Sequence, residues 1–157
     1  MRPQFLGRWE STIDEKRRLT LPAPVRKKIA SLDGESADGI ELISTVGHRG
    51  CVLLIPPSIW EEFARSIFQA PVQGNRDALL LRGRMARYGA HCKIDSSGRV
   101  TLTEEQIKVA GIERRAVVFG NFTRIEIWNP EQFERENPPI TDIDAHDQLI
   151  AKFLDQG

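Results

Sequence analysis

An aspartate and an arginine recur at the same spacing in two separate parts of the chain. Asp14 precedes Arg18 and Asp95 precedes Arg99, each time between two segments that read as short strands. An aspartate that opens a turn can accept hydrogen bonds from the backbone N–H groups of that turn and make it rigid. The arginine then leaves the turn in a fixed direction, and its planar guanidinium matches a phosphate or the O6 and N7 atoms of guanine. A single copy could merely hold its hairpin together, but two matched copies favour contacts to nucleic acid.

The two turns belong to a longer internal repeat. Residues 12–21 and 93–102 share five identical residues at an offset of 81, and residues 54–60 resemble residues 127–133 at an offset of 73. Such self-similarity indicates two copies of one structural unit. In each copy the residue pattern predicts a strand, the turn, a second strand, a short helix, two further strands and a closing helix. The predicted boundaries are Pro22 for the first short helix, Thr103 and Gly111 for the second, 57–67 and 130–136 for the closing helices, and 121–123 for the hairpin of the second copy.

The segments outside the repeat are less regular. Residues 77–87 are predicted to form a helix that joins the two copies, and the Asn-Pro-Pro at 137–139 breaks the chain. Residues 140–154 are predicted to form a short acidic helix. Its candidate apolar contacts are Ile143, Leu149, Ile150, Phe153 and Leu154. A second apolar stripe at helical spacing contains Trp60, Phe63, Ile67 and Phe68. This stripe is interpreted as core, part of which could instead form a subunit interface.

The charge is unevenly distributed along the chain. The formal net charge is zero, yet residues 1–28 carry +5, residues 74–100 carry +4 and residues 130–157 carry −5. In salt, charges more than ~10 Å apart barely interact, so a neutral protein can present a basic face. Lys16 and Arg17 add positive charge to the first turn. Arg26, Lys27 and Lys28 follow it as candidate phosphate contacts, with a solvated helix face as the equal alternative.

No pattern typical of an enzyme or a metal site is present in the sequence. The three histidines are scattered, and no H-E-x-x-H, C-x-x-C, G-x-S-x-G or P-loop motif occurs. Cys51 and Cys92 are interpreted as small buried hydrophobes in a reducing compartment. The sequence has no run of eighteen apolar residues, and its first residues lack the apolar core of a signal peptide. We therefore expect no catalysis, metal, cofactor, small-molecule substrate, membrane span or export.

Several motifs together resemble the MraZ family. They are Phe5-Leu-Gly7, the Ile-Asp-x-x-x-Arg-hydrophobic pattern at 13–19 and at 94–100, Leu53-Leu-Ile-Pro56 before Trp60, and Gly120-Asn-Phe122 leading to Glu126-Ile-Trp128. The resemblance covers nearly all of the chain up to about residue 136. It depends on the duplicated pattern, because either copy alone would indicate only the broader SpoVT-AbrB class.

The resemblance implies a fold and a division of the chain. The expected class is mixed α+β and β-rich, with tandem swapped-hairpin AbrB-like β-barrel units that form one pseudo-twofold module, together with short helices and a C-terminal helix. The expected divisions are 5–56 for the first SpoVT-AbrB-like unit, 57–88 for connecting helices, 89–136 for the second unit and 137–157 for a C-terminal tail or helix.

The resemblance also implies a function. Proteins of this family form closed rings of subunits and regulate transcription by binding short G-rich direct repeats in double-stranded promoter DNA, upstream of a division and cell-wall gene cluster. The expected location is the cytoplasm, in association with the nucleoid. The DNA contacts would come from Asp14, Arg18, Asp95 and Arg99, with Lys16 at a position where the family usually has lysine.

The first turn departs from the family pattern at one position. The family commonly has glycine where this chain has Arg17, whereas the second turn keeps Gly98. If the position requires a positive φ, arginine costs roughly 1 kcal/mol or more there. Either the first turn has a different shape, or Arg17 adds a phosphate contact.

Two other roles remain open from the sequence. AbrB-type modules also serve as antitoxins, which bind DNA through the fold and a toxin through a tail, and residues 140–157 could be such a segment. Antitoxins of this class usually carry one unit, whereas this chain has two. A purely structural oligomer would account for the apolar stripe at Trp60 but not for the matched arginines.

Overall fold

Short strands and short helices alternate along the chain. The computed structural model describes residues 4–69 and 76–155. The strands are β1 (Phe5–Thr12), β2 (Arg18–Thr20), β3 (Glu41–Val46), β4 (Val52–Ile55), β5 (Ala90–Lys93), β6 (Arg99–Thr101), β7 (Arg115–Phe122) and β8 (Arg124–Trp128). The helices are α1 (Ala23–Asp33), α2 (Pro57–Phe68), α3 (Arg76–Arg87), α4 (Glu104–Ala110), α5 (Pro130–Glu136) and α6 (Ile143–Phe153), and His48–Gly50 forms a 3-10 turn.

The helix boundaries follow from local chemistry that is visible in the sequence. Thr103 and Gln106 form a reciprocal capping box at the start of α4, and Gly111 ends this helix in the left-handed conformation. The closing helices α2 and α5 each begin at a proline, which fits the first helical position because no intrahelical partner is lost there. The predictions for these helices, and for the hairpin at 121–123, are confirmed.

The strands of the two sequence repeats pair with each other. Among the described residues, six strands form an open antiparallel sheet in the order β1-β7-β8-β4-β3-β5, and β2 and β6 form a separate two-stranded ribbon. Four of these neighbour pairs, namely β1–β7, β4–β8, β3–β5 and β2–β6, join a strand before residue 56 to a strand after residue 89. The mixed α+β class is confirmed, and one hydrophobic core serves both repeats.

The core consists mainly of branched aliphatic side chains from the paired strands. Every residue of β4 is buried, as are four of the five residues of β8. The α1 residues Val25 and Ile29 are buried, and Leu32 is partly buried against the same core. Cys51 and Cys92 are buried free thiols, which confirms their interpretation as small hydrophobes.

The C-terminal helix differs from its prediction in two respects. It begins at Ile143 rather than at residue 140, because the side chain of Asp142 caps it by accepting the N–H groups of the next turn. Most of the side chains predicted to make apolar contacts from this helix are also not buried among the described residues. Ile143, Leu149, Phe153 and Leu154 are all more than half exposed, and only Ile150 is partly buried. The helix therefore carries an apolar face that residues 4–69 and 76–155 of its own subunit leave mostly exposed.

Candidate nucleic-acid interface

The two Asp-x-x-x-Arg turns have the same backbone geometry. Oδ1 of Asp14 accepts the N–H of Lys16 at 2.9 Å and the N–H of Arg18 at 2.8 Å. Oδ1 of Asp95 accepts the equivalent two N–H groups, both at 2.9 Å. In both turns the backbone N–H of the aspartate also donates to the carbonyl of the arginine four residues later. Each aspartate thus fixes the shape of its turn, as the sequence predicts.

The second carboxylate oxygen orients the arginine. Nε of Arg18 donates to Oδ2 of Asp14 at 2.7 Å, and Nε of Arg99 donates to Oδ2 of Asp95 at 2.9 Å. These bonds occupy one of the five N–H donors of each guanidinium, so the remaining four are on the two Nη atoms at its tip. Both arginine side chains are 31% exposed. The aspartate therefore positions each arginine and leaves the donor-rich end of the side chain for another acceptor.

The same hydrogen bonds favour the charged form of both aspartates. The backbone N–H of Arg18 is the largest cause that lowers the pKa of Asp14, and the arginine side chain lowers it further. The backbone N–H and side chain of Arg99 lower the pKa of Asp95 in the same way. The ionised carboxylate, which is the form present at neutral pH, is thus the state that these hydrogen bonds stabilise.

The two arginines lie on the ribbon that β2 and β6 form. The central pair of this ribbon is Leu19 opposite Val100, and both side chains are fully buried. Side chains alternate between the two faces of a strand, so the residues on either side of this pair point away from the core. The ribbon is thus anchored by its middle pair and presents its other face outward.

The outward face carries both turn arginines together. Arg18 lies opposite Thr101 and Arg99 lies opposite Thr20, so the four side chains share one face of the ribbon. The two arginines are diagonal neighbours, a relationship that places Cα atoms about 7–8 Å apart. Thr20 and Thr101 are exposed and bring a hydroxyl group next to each guanidinium. Sequence reasoning missed these threonines, although the alternation through Leu19 and Val100 marks them as outward-facing.

A local twofold relationship joins the two turns. The N–H of Leu21 donates to the carbonyl of Gly98, and the N–H of Leu102 donates to the carbonyl of Arg17, both at 2.9 Å. Leu21 corresponds to Leu102 and Arg17 corresponds to Gly98 at the repeat offset of 81. Each turn is therefore held by the strand end of the other repeat, which fixes the arginines relative to each other.

Arg17 adopts the backbone conformation that the second turn gives to glycine. Its φ is 63°, and the φ of Gly98 is 76°. The first alternative from the sequence, a differently shaped turn, is therefore wrong. The side chain of Arg17 folds back across the interface between the repeats, where its Nε donates to the carbonyl of Leu102 at 3.0 Å.

Arg26 caps the corresponding leucine carbonyl on the other side of the local twofold axis. Its Nη1 donates to the carbonyl of Leu21, which corresponds to Leu102. To reach that carbonyl, the side chain crosses Gly98, where an added Cβ would lie 2.7 Å from Cδ of Arg26. The α4 residue that corresponds to Arg26 is Ile107, which has no donor to offer. Each leucine carbonyl is thus capped by one arginine, from the turn in one half and from the helix in the other.

The remaining predicted cations differ in their surroundings. Lys16 and Lys27 are exposed, and Lys28 is partly buried. Arg26 and Lys27 line a shallow cleft of about 290 Å3 beside the second turn. The acidic side chains Glu35 and Asp38 also line this cleft, so its charge is mixed. The structure therefore brings Lys27 close to the second turn but does not bring all three basic residues of α1 together there.

The described residues contain neither a candidate metal site nor a membrane-spanning helix. Within residues 4–69 and 76–155, no three His, Cys, Asp or Glu side chains are grouped as a metal ion would require. None of the helices in these ranges has the length and hydropathy needed to cross a bilayer.

Comparisons with known proteins identify relatives over nearly the full chain. The profile of a family described as "MraZ protein, putative antitoxin-like" matches residues 85–144. Transcriptional regulator MraZ of Chlorobaculum parvum is 33% identical over 135 residues, which cover 83% of this chain and 82% of that protein. The proteins of the same name from Roseiflexus castenholzii and Syntrophomonas wolfei are each 29% identical, and the matches cover 96% and 98% of this chain and 96% and 99% of those proteins.

Proposed function

This chain belongs to the MraZ family, and on that premise we propose that it is a sequence-specific DNA-binding transcriptional regulator. Its ligand is double-stranded promoter DNA that carries G-rich direct repeats, upstream of a division and cell-wall gene cluster. The two Asp-x-x-x-Arg turns make the base contacts, and the protein works in the cytoplasm on the nucleoid. It is not an enzyme.

The observation that carries this proposal is the shared outward face of the β2–β6 ribbon. Arg18 and Arg99 occupy that face as diagonal neighbours, about 7–8 Å apart at Cα. The major groove is about 12 Å wide and admits a two-stranded ribbon. Successive base pairs rise by about 3.4 Å, so two arginines at this separation suit bases roughly two steps apart.

The hydrogen bonds within each turn support a preference for guanine. Because Asp14 and Asp95 hold the Nε–H of their arginines, the Nη groups are presented end-on in a defined direction. A pair of Nη donors matches the O6 and N7 acceptors of guanine, which is the commonest specific contact in the major groove. Thr20 and Thr101 lie beside the arginines and supply hydroxyl groups for phosphate or base edges.

The predicted cations outside the two arginines receive different roles. Lys16 is exposed in the first turn and suits a phosphate contact. Lys27 and Lys28 are secondary phosphate contacts on α1. The side chains of Arg17 and Arg26 donate to the carbonyls of Leu102 and Leu21. These hydrogen bonds hold their positive charges at fixed positions beside the turns, where they attract DNA phosphates. All of these contributions strengthen binding without reading the sequence.

The proposed regulator acts as an assembly of several subunits. A single subunit with two base-reading arginines binds weakly, whereas a closed ring of subunits places several ribbons over direct repeats and gains affinity through avidity. We propose the expected division of the chain, with swapped-hairpin AbrB-like units at 5–56 and 89–136, connecting helices at 57–88 and a tail or helix at 137–157. The cross-paired strands of the two repeats support this arrangement.

Substitution of the turn arginines tests the proposal. Arg18→Ala and Arg99→Ala each remove a bidentate base contact, so we expect each to weaken specific binding by about 1–3 kcal/mol. The double variant should remain folded and oligomeric but should not bind the promoter. Binding is measured by fluorescence anisotropy on the DNA upstream of the gene, over a range of salt concentrations, since phosphate contacts make affinity fall steeply with salt.

Arg135→Ala serves as the matched control. Arg135 is exposed on α5 and donates to Gln132, so its removal deletes the same charge away from the ribbon. This variant should bind as the unchanged protein does. Promoter affinity that survives the double substitution, or that is independent of salt, would contradict the proposed role of the ribbon.

A further inference from the structure

An apolar groove lies between α2 and α3, away from the ribbon. Its volume is about 690 Å3, and its floor includes Ile43 and Thr45 of β3. The apolar stripe predicted on α2 forms one wall. Trp60, Phe63 and Ile67 of this stripe are partly buried, whereas Phe68 is 58% exposed. From α3, the 53% exposed Leu79 faces the same groove.

The groove is separated from the DNA-contacting turns by the length of a strand. The side chain of Thr45 donates to the carbonyl of Met85 at 2.6 Å and fixes α3 at the Ala90 end of β5. The second turn begins at Asp95, five residues further along the chain. An extended strand rises about 3.3 Å per residue, so roughly 16 Å separates the two features.

The C-terminal helix α6 has the shape and chemistry of an occupant for such a groove. Ile143, Leu149, Ile150, Phe153 and Leu154 fall on one side of the helix at 100° per residue. Four of these five side chains are more than half exposed in the subunit. An exposed stripe of this size on a helix is typical of a protein–protein contact.

The charges of the two surfaces are complementary. Helix α3 carries four arginines and one aspartate, a net of +3, and Arg82 lines the groove. Residues 142–155 carry four aspartates and one lysine, a net of −3. Asp147 flanks the apolar stripe of α6. Opposite charges around an apolar centre steer association and select the partner surface.

From these observations we infer that α6 of one subunit docks into the α2–α3 groove of a second copy of this chain. The helix and the groove are different surfaces, so the contact is head-to-tail. Each subunit can donate its α6 to one neighbour and accept the α6 of another neighbour in its groove. Such contacts propagate around an assembly and close into a ring when the rotation permits. The inference deepens the homo-oligomeric part of the proposed function, and it depends on none of the DNA-contacting residues.

Charged substitutions at exposed positions separate the two halves of the contact. The helix variant carries Leu149→Glu and Phe153→Glu, and the groove variant carries Phe68→Glu and Leu79→Glu. All four side chains are more than half exposed, so the fold should tolerate these changes. The mass of each protein is measured without DNA by size-exclusion chromatography with multi-angle light scattering. The unchanged protein should give a multiple of the 17.8 kDa chain, and each variant should fall to a single chain.

The mass of a mixture of the helix variant and the groove variant gives the most direct test of a head-to-tail contact. The groove variant still offers an intact α6 and the helix variant still offers an intact groove, so one contact can form and no further contact can follow. The mixture should therefore give one new species with twice the mass of the chain. A contact between identical surfaces would not be restored by mixing.

Matched controls use neighbouring residues that lie outside the contact. Leu81→Glu changes an exposed leucine of α3 that does not line the groove, and Ala151→Glu changes the polar side of α6. Both should assemble as the unchanged protein does. A single-chain mass for the unchanged protein, unchanged assembly of the helix and groove variants, or a mixture that stays as single chains would each overturn the inference. Circular dichroism confirms that each variant remains folded.

Discussion

Arg17 occupies the turn position that Gly98 has in the second repeat, and two substitutions there separate opposing effects. Its φ of 63° is unfavourable for any residue with a Cβ, whereas its Nε stabilises the interface by donating to the carbonyl of Leu102. Arg17→Gly removes both features. Arg17→Ala removes the hydrogen bond but keeps the unfavourable φ.

The expected magnitudes follow from these two terms. A left-handed conformation costs a non-glycine residue roughly 1–2 kcal/mol. The hydrogen bond contributes about 0.5–1.5 kcal/mol, and glycine adds about 0.4–1 kcal/mol of conformational entropy to the unfolded chain. The gain and the losses of Arg17→Gly nearly cancel, so its free energy of unfolding should lie within about 1 kcal/mol of the unchanged protein. Arg17→Ala should be destabilised by about 1 kcal/mol.

Urea unfolding monitored by tryptophan fluorescence measures both free energies. The predicted order places the unchanged protein and Arg17→Gly together, with Arg17→Ala below them. If Arg17→Gly lost as much stability as Arg17→Ala, the relief of the positive φ would be no larger than the conformational entropy that glycine adds to the unfolded chain, and the reasoning would be refuted. The same glycine variant should show weaker non-specific DNA binding and a salt slope smaller by about one charge, because its guanidinium no longer neutralises phosphate.

Three further predictions concern other parts of the structure. Gly98→Ala should destabilise the chain by about 1 kcal/mol or more in the same unfolding assay, since it adds a Cβ at positive φ beneath an arginine side chain. The pKa values of Asp14 and Asp95 are lowered, so the stability they add is complete above their ordinary value of 3.8 and is lost only as pH falls through the lower folded values. The free energy of unfolding measured between about pH 5 and about pH 8 should therefore show no pH dependence from these two groups, whose contribution is constant there. Burial raises the pKa of Cys92 to about 12 and that of Cys51 further, so iodoacetamide should label both thiols only after unfolding.

The sequence predicts the shape of the two Asp-x-x-x-Arg turns better than it predicts the arrangement around them. The match between Asp14–Arg18 and Asp95–Arg99 was sufficient to predict both turns, because their shape depends on contacts within five residues. The relation between the turns depends on backbone hydrogen bonds across 81 residues, such as that from Leu102 to Arg17. No local pattern encodes such a contact, so the common outward face of the ribbon emerged only from the structure.

Residues whose partners are distant in sequence were the hardest to interpret. The sequence predicts phosphate contacts from Arg17 and Arg26, and the structure adds that each side chain caps a carbonyl group at a strand end. The sequence predicts that the apolar residues of α6 make packing contacts, but the side chain of Phe153 is 69% exposed. Periodicity identifies an apolar face but does not say whether its partner lies in the same subunit.

We propose that Arg18 and Arg99 read DNA together from one face of the β2–β6 ribbon. A footprint of the purified protein on the DNA upstream of its own gene tests this claim most directly. The unchanged protein should protect a row of G-rich direct repeats, with methylation at guanine N7 interfering at each repeat. The Arg18→Ala, Arg99→Ala double variant, at the same concentration and fully assembled, should leave those repeats unprotected. An identical footprint from the double variant would contradict the account.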